Sequence, residues 1–182
     1  MKKTFAMILM STAAFGLTNY AMAATSDAKV TYTAAKDMAD AEYKVAHAKC
    51  DSLTSNPKDV CVAEAKAART TMDANAKAVY KNTLSARTSA AKSIADANYD
   101  VDKAKCGALA GNDKDVCIKK AKSTKVAAVA NAKADKKVID ARTDARDDKR
   151  TAEYKVALEK CDALAGAAKD TCVASAKAQF GK

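Results

Sequence analysis

The residues best suited to chemistry are six cysteines, which occur as three pairs with ten residues between the two members of each pair. Redox-active cysteines usually lie in a C-x-x-C spacing, zinc sites usually combine closely spaced Cys and His, and c-type haem attachment needs C-x-x-C-H. None of these spacings occurs in the sequence. We therefore expect structural disulfides, which are common in secreted proteins, with the pairing Cys50–Cys61, Cys106–Cys117 and Cys161–Cys172.

The cysteine pairs belong to a threefold internal repeat, which aligns without gaps over residues 41–67, 97–123 and 152–178. Six cysteines allow 15 pairings in principle, but the repeat favours the three local ones, because the midpoint of each pair coincides with a predicted turn. A tyrosine and a leucine share the helix face of each first cysteine. We expect them to pack in the core of each repeat: Tyr43 and Leu53, Tyr99 and Leu109, Tyr154 and Leu164.

Glycine and proline mark where the helices end. Pro57, Gly107, Gly111 and Gly166 all fall within the repeats, and two stretches of about 50 residues between them contain neither residue type. Alanine and lysine favour helix. The sequence therefore predicts an all-α fold, an elongated antiparallel helical bundle with coiled-coil hairpins. Its four helices span about 25–54, 57–109, 112–165 and 167–180 and are joined by three disulfide-linked turns.

The turns differ in how their backbones are expected to close. Gly111 and Gly166 suit a left-handed residue, whereas Ser55 occupies the equivalent position in the first repeat, so that turn should close differently. With straight helices, the first and third turns lie at one end of the bundle and the second at the other. In a compact alternative, the two long helices break near residues 82–93 and 142–151.

The amino-terminal residues have the layout of a secretory signal peptide. Lys2 and Lys3 precede an apolar stretch over residues 5–17, and Ala21-Met22-Ala23 forms a small-x-small cleavage site. We expect cleavage near Ala23, which removes residues 1–23 and leaves 24–182 as a single repeat-built helical domain. The mature chain is then periplasmic or secreted, with no integral membrane span, because no later stretch is long and apolar enough.

The composition argues against an enzyme. Aromatic residues make up 5% of the chain and tryptophan is absent, so little bulky apolar surface exists to enclose an active site. His47 is the only histidine, and the sequence contains no phosphate-binding glycine loop and no serine–histidine arrangement. We identify no candidate catalytic, cofactor-binding or metal-binding residue and expect no cofactor and no small-molecule substrate.

Two sequence features resemble a group of bacterial proteins. They are the unit Y-K-V…K-C-D-A-L-A-G…K-D-x-C and the tail from Lys169 (KDTCVASAKAQFGK). Together with the signal peptide, they resemble small secreted Ala/Lys-rich, Cys-repeat proteins of Gram-negative bacteria that are often labelled TolA-like or cell-envelope biogenesis proteins. The resemblance implies a location in the cell envelope and supplies no functional residues.

These observations favour a non-catalytic structural or interaction protein of the envelope, whose partner is an envelope protein. Two alternatives remain open. The net charge of +10 suits binding to an anionic polymer such as nucleic acid, lipopolysaccharide or peptidoglycan. The alanine-rich stripes and the repeated hairpins suit self-association into an extracellular or filament-like structure.

Overall fold

Five α-helices and one short 3-10 helix make up the part of the chain that the structure, a computed structural model, describes. It describes the backbone of residues 20–182 and the side chains of residues 27–182, so most of the predicted signal peptide lies outside the described residues. Over this range the all-α fold class is confirmed, with no strand. The helices are α1 (Tyr20–Cys50), α2 (Ser55–Lys81), α3 (Leu84–Lys105), α4 (Gly111–Asp162) and α5 (Gly166–Phe180), with the 3-10 helix at Cys106–Ala108.

Five helices occur where four are expected because the predicted second helix is broken at Asn82 and Thr83. Asn82 adopts a left-handed backbone (φ 44°, ψ 37°), which asparagine tolerates better than most residues. The Thr83 hydroxyl then accepts the backbone N–H of Ala86 at 3.1 Å and caps α3. Arg87 donates to the amide oxygen of Asn82 at 2.6 Å. Asn82, which ends α2, is thus followed directly by Thr83, which caps α3, and neither residue is glycine or proline.

This break brings the start of α2 beside the end of α3. Asn56 donates from Nδ2 to the carbonyl oxygen of Ala104 at 2.7 Å, and Lys105 forms an ion pair with Glu64 at 3.2 Å. The turn after α1 and the turn after α3 therefore lie at the same end. The expectation that they lie at opposite ends is wrong, because it assumed an unbroken helix over residues 57–109.

Of the two breaks in the compact alternative, the one near residues 82–93 occurs, at Asn82 and Thr83, whereas helix α4 continues through residues 142–151. Around the break between α2 and α3, the repeat can be followed through two further sets of matching residues. Lys81 corresponds to Lys137, and the segment Ala-Arg-Thr over residues 86–88 recurs over residues 141–143. Between the matching lysine and the matching Ala-Arg-Thr segment lie four residues (82–85) in the first copy and three (138–140) in the second.

Val138, Ile139 and Asp140 thus replace the residues of the Asn82 turn, one residue shorter. Valine and isoleucine strongly disfavour the left-handed backbone that ends α2, so the helix continues. The 52 residues of α4 span about 78 Å at the usual rise per residue of an α-helix.

The three disulfide-linked turns share one backbone conformation. Ser55, Gly111 and Gly166 have φ values of 55°, 54° and 57°. The expectation that the first turn closes differently is therefore wrong. The repeated turn geometry overrides the preference of serine, for which a left-handed backbone costs about 1–2 kcal/mol.

The core consists mainly of alanines and cysteines. Cys50, Cys106 and Cys161 are fully buried, and Val101, at 8% exposure, is the largest other buried apolar side chain among the described residues. Between α1 and α2, Tyr32 stacks on Tyr80 with 4.9 Å between ring centroids. Within residues 20–182, no helix is long and apolar enough to cross a membrane.

Candidate functional site

The three disulfides divide the molecule into three units. Unit 1 comprises α1 and α2, unit 2 comprises α3 and residues 111–137 of α4, and unit 3 comprises residues 141–162 of α4 and α5. The disulfides are the three predicted ones, with Cα–Cα distances of 5.6, 5.7 and 5.6 Å, which are typical of disulfides. All six cysteines are paired, so no thiol is available for redox or metal chemistry.

An ion pair lies beside the disulfide in units 1 and 3. Lys58 contacts Asp51 at 3.1 Å, and Lys169 contacts Asp162 at 2.9 Å. Each aspartate directly follows the first cysteine, and each lysine lies three residues before the second. The pairs are 42–63% exposed, so we expect each to contribute little to stability by itself.

Unit 2 departs from this pattern at Gly107, which replaces the aspartate. A Cβ atom at Gly107 would collide with the Asn56 side-chain amide. That amide comes from the first turn and donates its hydrogen bond to Ala104 beside Gly107. The missing side chain at residue 107 therefore allows the first and second turns to contact each other.

The repeated tyrosines lie between the two helices of each unit and are half-buried. The residue eight positions after the second cysteine covers each ring. Arg69 lies 5.4 Å from the Tyr43 centroid, Lys125 lies 5.2 Å from the Tyr99 centroid, and the Phe180 and Tyr154 centroids are 5.8 Å apart. The partner of each tyrosine is thus a cation in units 1 and 2 and an aromatic ring in unit 3.

An aspartate holds the cation over the tyrosine in units 1 and 2. Arg69 contacts Asp40 at 2.6 Å and Lys125 contacts Asp96 at 2.8 Å. The hydrogen bond to Asp96, supported by the nearby negative charges of Asp96 and Asp100, raises the pKa of Lys125 above its ordinary value. In unit 3, Thr151 occupies the position of these aspartates. Unit 3 therefore has neither the cation over the tyrosine nor the aspartate that holds it.

The leucines of the repeat do not lie in the core. Leu53, Leu109 and Leu164 are 38%, 43% and 44% exposed. The prediction that they are core residues is wrong, because each lies in the turn beyond the end of its helix.

One repeated alanine is buried in every unit, and the sequence prediction placed only the first of the three on an apolar stripe. Ala65, Ala121 and Ala176, each four residues after a second cysteine, are 5%, 6% and 5% exposed. Their equivalence across the repeat is a signal that could have identified Ala121 and Ala176 as well. Alanine permits close approach of the paired helices at this level.

The clefts between these helices are open and contain few groups suited to chemistry. One of them, between α1, α2 and α3, is lined by Tyr43, Arg69 and Asp73, among others. Among the described residues, no cluster of three His, Cys, Asp or Glu side chains could hold a metal ion. His47 packs against the ring of Tyr43, with centroids 5.4 Å apart. The arrangement is suited to holding helices together and to presenting their outer faces.

Comparison with known proteins gives no match: no protein-family model, no curated protein and no solved structure is similar to this chain.

Proposed function

We propose that the protein is a non-catalytic structural or interaction protein of the cell envelope, periplasmic or secreted. The observation that carries the proposal is the combination of three disulfides with a 52-residue helix. Disulfides persist in oxidising compartments outside the cytosol. In this proposal, the helices pair as antiparallel hairpins, and α4 is a spacer that presents unit 3 at a distance from units 1 and 2.

The residue contacts support the antiparallel pairing. Along α1, contacts with α2 pass from Tyr32 to Asp40 to Cys50, while their partners in α2 fall from Tyr80 to Arg69 to Cys61. The same trend links α4 to α5 through the Tyr154–Phe180 and Cys161–Cys172 contacts. The resemblance to small Ala/Lys-rich proteins labelled TolA-like agrees with an envelope location.

The spacer role is supported by the middle of α4. Its contacts with α3 include the Lys125–Asp96 ion pair, and its contacts with α5 include Tyr154 and Phe180. The segment 144–150 between them is exposed at every position. A helix exposed on all sides separates parts of a protein without itself belonging to a core.

A second candidate, binding to an anionic polymer, is favoured by one segment. Residues 111–137 contain eight lysines and three aspartates, so much of the net positive charge of the chain lies on the amino-terminal half of α4. A polymer that neutralises several of these lysines would bind in a strongly salt-dependent manner.

Binding of the purified, oxidised protein to isolated cell envelopes would distinguish a protein partner from an anionic polymer. For a protein partner, we expect retention to change little between about 50 and 200 mM salt, whereas polymer binding through many charges would fall by orders of magnitude. Crosslinking in intact cells then identifies the attached partner. Absence of the protein from the envelope, or crosslinking only to cytosolic proteins, would contradict the envelope role.

A further inference from the structure

One side of α4 carries a row of lysines that no other helix covers. Residues at steps of three and four share one side of an α-helix. Six such residues follow one another along the amino-terminal half of α4, and all six are exposed: Lys119, Lys122, Val126, Ala130, Lys133 and Lys137. We call this row the lysine side of α4, and its lysines extend over about 27 Å at the usual rise of an α-helix.

Acidic residues do not neutralise the lysine side. Asp135 is the only acidic residue between Val116 and Ile139, and helix geometry places it on the opposite side of α4. Within the described residues, the ion pairs of this half of α4 use other lysines, Lys125 and Lys136. The four lysines of the row therefore keep their charges for a ligand outside the chain.

The repeat equivalent of this row in α2 adjoins another helix. It comprises Ala63, Lys66, Thr70, Ala74, Lys77 and Lys81. Of these, Ala63, Thr70 and Ala74 are half-buried and line clefts to which α3 also contributes. In α4 the same three positions are exposed, and the first of them is Lys119. This side of α4 therefore has no helix neighbour and one more cation than its equivalent in α2.

The residues between the lysines indicate which anionic ligand fits. Val126, which is 57% exposed, and Ala130 lie between the two lysine pairs. Apolar side chains among lysines are typical of helices that lie at the interface of a membrane with anionic lipids. Single-stranded nucleic acid is usually bound with aromatic rings that stack on the bases, and residues 111–153 contain no aromatic residue. The row is therefore better suited to lipid phosphates than to nucleic acid.

We propose that the lysine side of α4 binds the phosphate headgroups of an anionic phospholipid surface. The helix then lies parallel to the membrane without crossing it, with its lysines at the phosphates and Val126 at the edge of the apolar layer. Each lysine near such a surface strengthens binding by about fivefold, so the four lysines of one row act together. The inference rests on the proposed envelope location and gives the lysine-rich half of α4 a lipid partner.

Co-sedimentation of the oxidised protein with vesicles tests the proposal. At about 50 mM salt, the protein should bind vesicles of phosphatidylcholine that contain about 30% phosphatidylglycerol and should not bind vesicles of phosphatidylcholine alone. Binding should weaken at about 500 mM salt, because salt screens contacts between exposed charges. Lys133→Glu/Lys137→Glu should weaken binding to the anionic vesicles by at least about 25-fold, which is about fivefold for each lysine removed.

The repeat supplies a matched control for this variant. Lys77 and Lys81 are the equivalents of Lys133 and Lys137, have the same spacing and are also exposed, but they lie on α2. Lys77→Glu/Lys81→Glu changes the net charge by the same amount and should keep most of the binding to the anionic vesicles. Circular dichroism of both variants establishes that the helices remain folded.

Three results would overturn the lipid contact. The first is no binding of the unchanged protein to the anionic vesicles. The second is an equal loss of binding in the two variants, which would show that net charge alone determines binding. The third is binding to duplex DNA that is tighter than binding to the vesicles and is lost in Lys133→Glu/Lys137→Glu. If the protein does not bind the vesicles but still crosslinks to an envelope protein, the lipid contact is wrong and the proposed function stands.

Discussion

Gly107 shows how a single residue adapts one repeat to its neighbour. Units 1 and 3 carry an aspartate at this position, paired with a lysine across the turn. In unit 2 that space is taken by the amide of Asn56, which donates to the carbonyl of Ala104 at 2.7 Å. The contact between two disulfide-linked turns is thus obtained at the cost of a surface ion pair.

Substitution of this glycine tests that coupling. Gly107→Ala should displace Asn56 and remove its hydrogen bond, which lowers the free energy of unfolding by about 1 kcal/mol. In the background Asn56→Ala the same substitution should be neutral or stabilising, because alanine restricts the unfolded chain without a collision. Urea unfolding of the unchanged protein, the two single variants and the double variant gives the coupling free energy between residues 56 and 107. Equal effects of Gly107→Ala in both backgrounds would show that the two turns are not coupled through Asn56.

The sequence was most informative about residues where one type recurs at one position. The cysteines met this condition, and they form the predicted disulfides. The leucines also recur at one position, but they lie in the turns, beyond the helix ends. Helix periodicity does not predict the direction of a side chain there, so their placement in the core is wrong. Ser55 adopts a glycine-like backbone because its turn is held by the disulfide and the flanking helices, a tertiary effect that residue preference does not contain.

Among the elements, α5 depends most on its disulfide. It has 15 residues, too few for a stable isolated helix, and its principal contacts are with α4. By contrast, α2 packs against both α1 and α3. The Cys161–Cys172 bond therefore carries a larger share of the local stability than the equivalent bond in unit 1.

Removal of that disulfide by Cys161→Ala/Cys172→Ala should release α5. A bond that closes a loop of about a dozen residues contributes about 3 kcal/mol in the chain-entropy model, so amide exchange over residues 166–180 should rise by about a hundredfold. Protection in α2 and α3 should remain. Cys50→Ala/Cys61→Ala, which opens a loop of the same length, is the control and should retain more local protection. Equal loss of protection in the two variants would show that neighbouring helices contribute nothing to unit 1.

The helix boundaries could be predicted wherever glycine or proline marks them. The break at Asn82 lacks such a marker, since its left-handed residue is an asparagine followed by a threonine cap. One signal was nevertheless present. The repeat offset falls from 56 to 55 residues, and the missing residue lies where the Asn82 turn would recur, so repeat spacing distinguishes the folded-back junction from the continuous helix.

At the scale of the whole molecule, α4 determines how far unit 3 lies from units 1 and 2. A break near residues 142–151 would have allowed the units to collapse together; an unbroken helix of about 78 Å keeps them apart. The composition could not decide between these outcomes, because a charged segment without tertiary contacts is compatible with either a solvated helix or a hinge. Charges of both signs at helical spacing, such as Lys149 and Glu153 at 3.8 Å, favour the helix.

A proline in this segment should abolish the spacing. Arg146 is 74% exposed, so Arg146→Pro disturbs no core contact, but it removes a backbone hydrogen bond and costs the helix about 3 kcal/mol. Small-angle X-ray scattering of the oxidised protein should show a shorter or more variable maximum dimension for the proline variant. Arg146→Ala removes the charge alone and should scatter like the unchanged protein. Identical scattering by the proline and alanine variants would mean that α4 is already hinged in solution, and the spacing of unit 3 would then depend on its partners rather than on the helix.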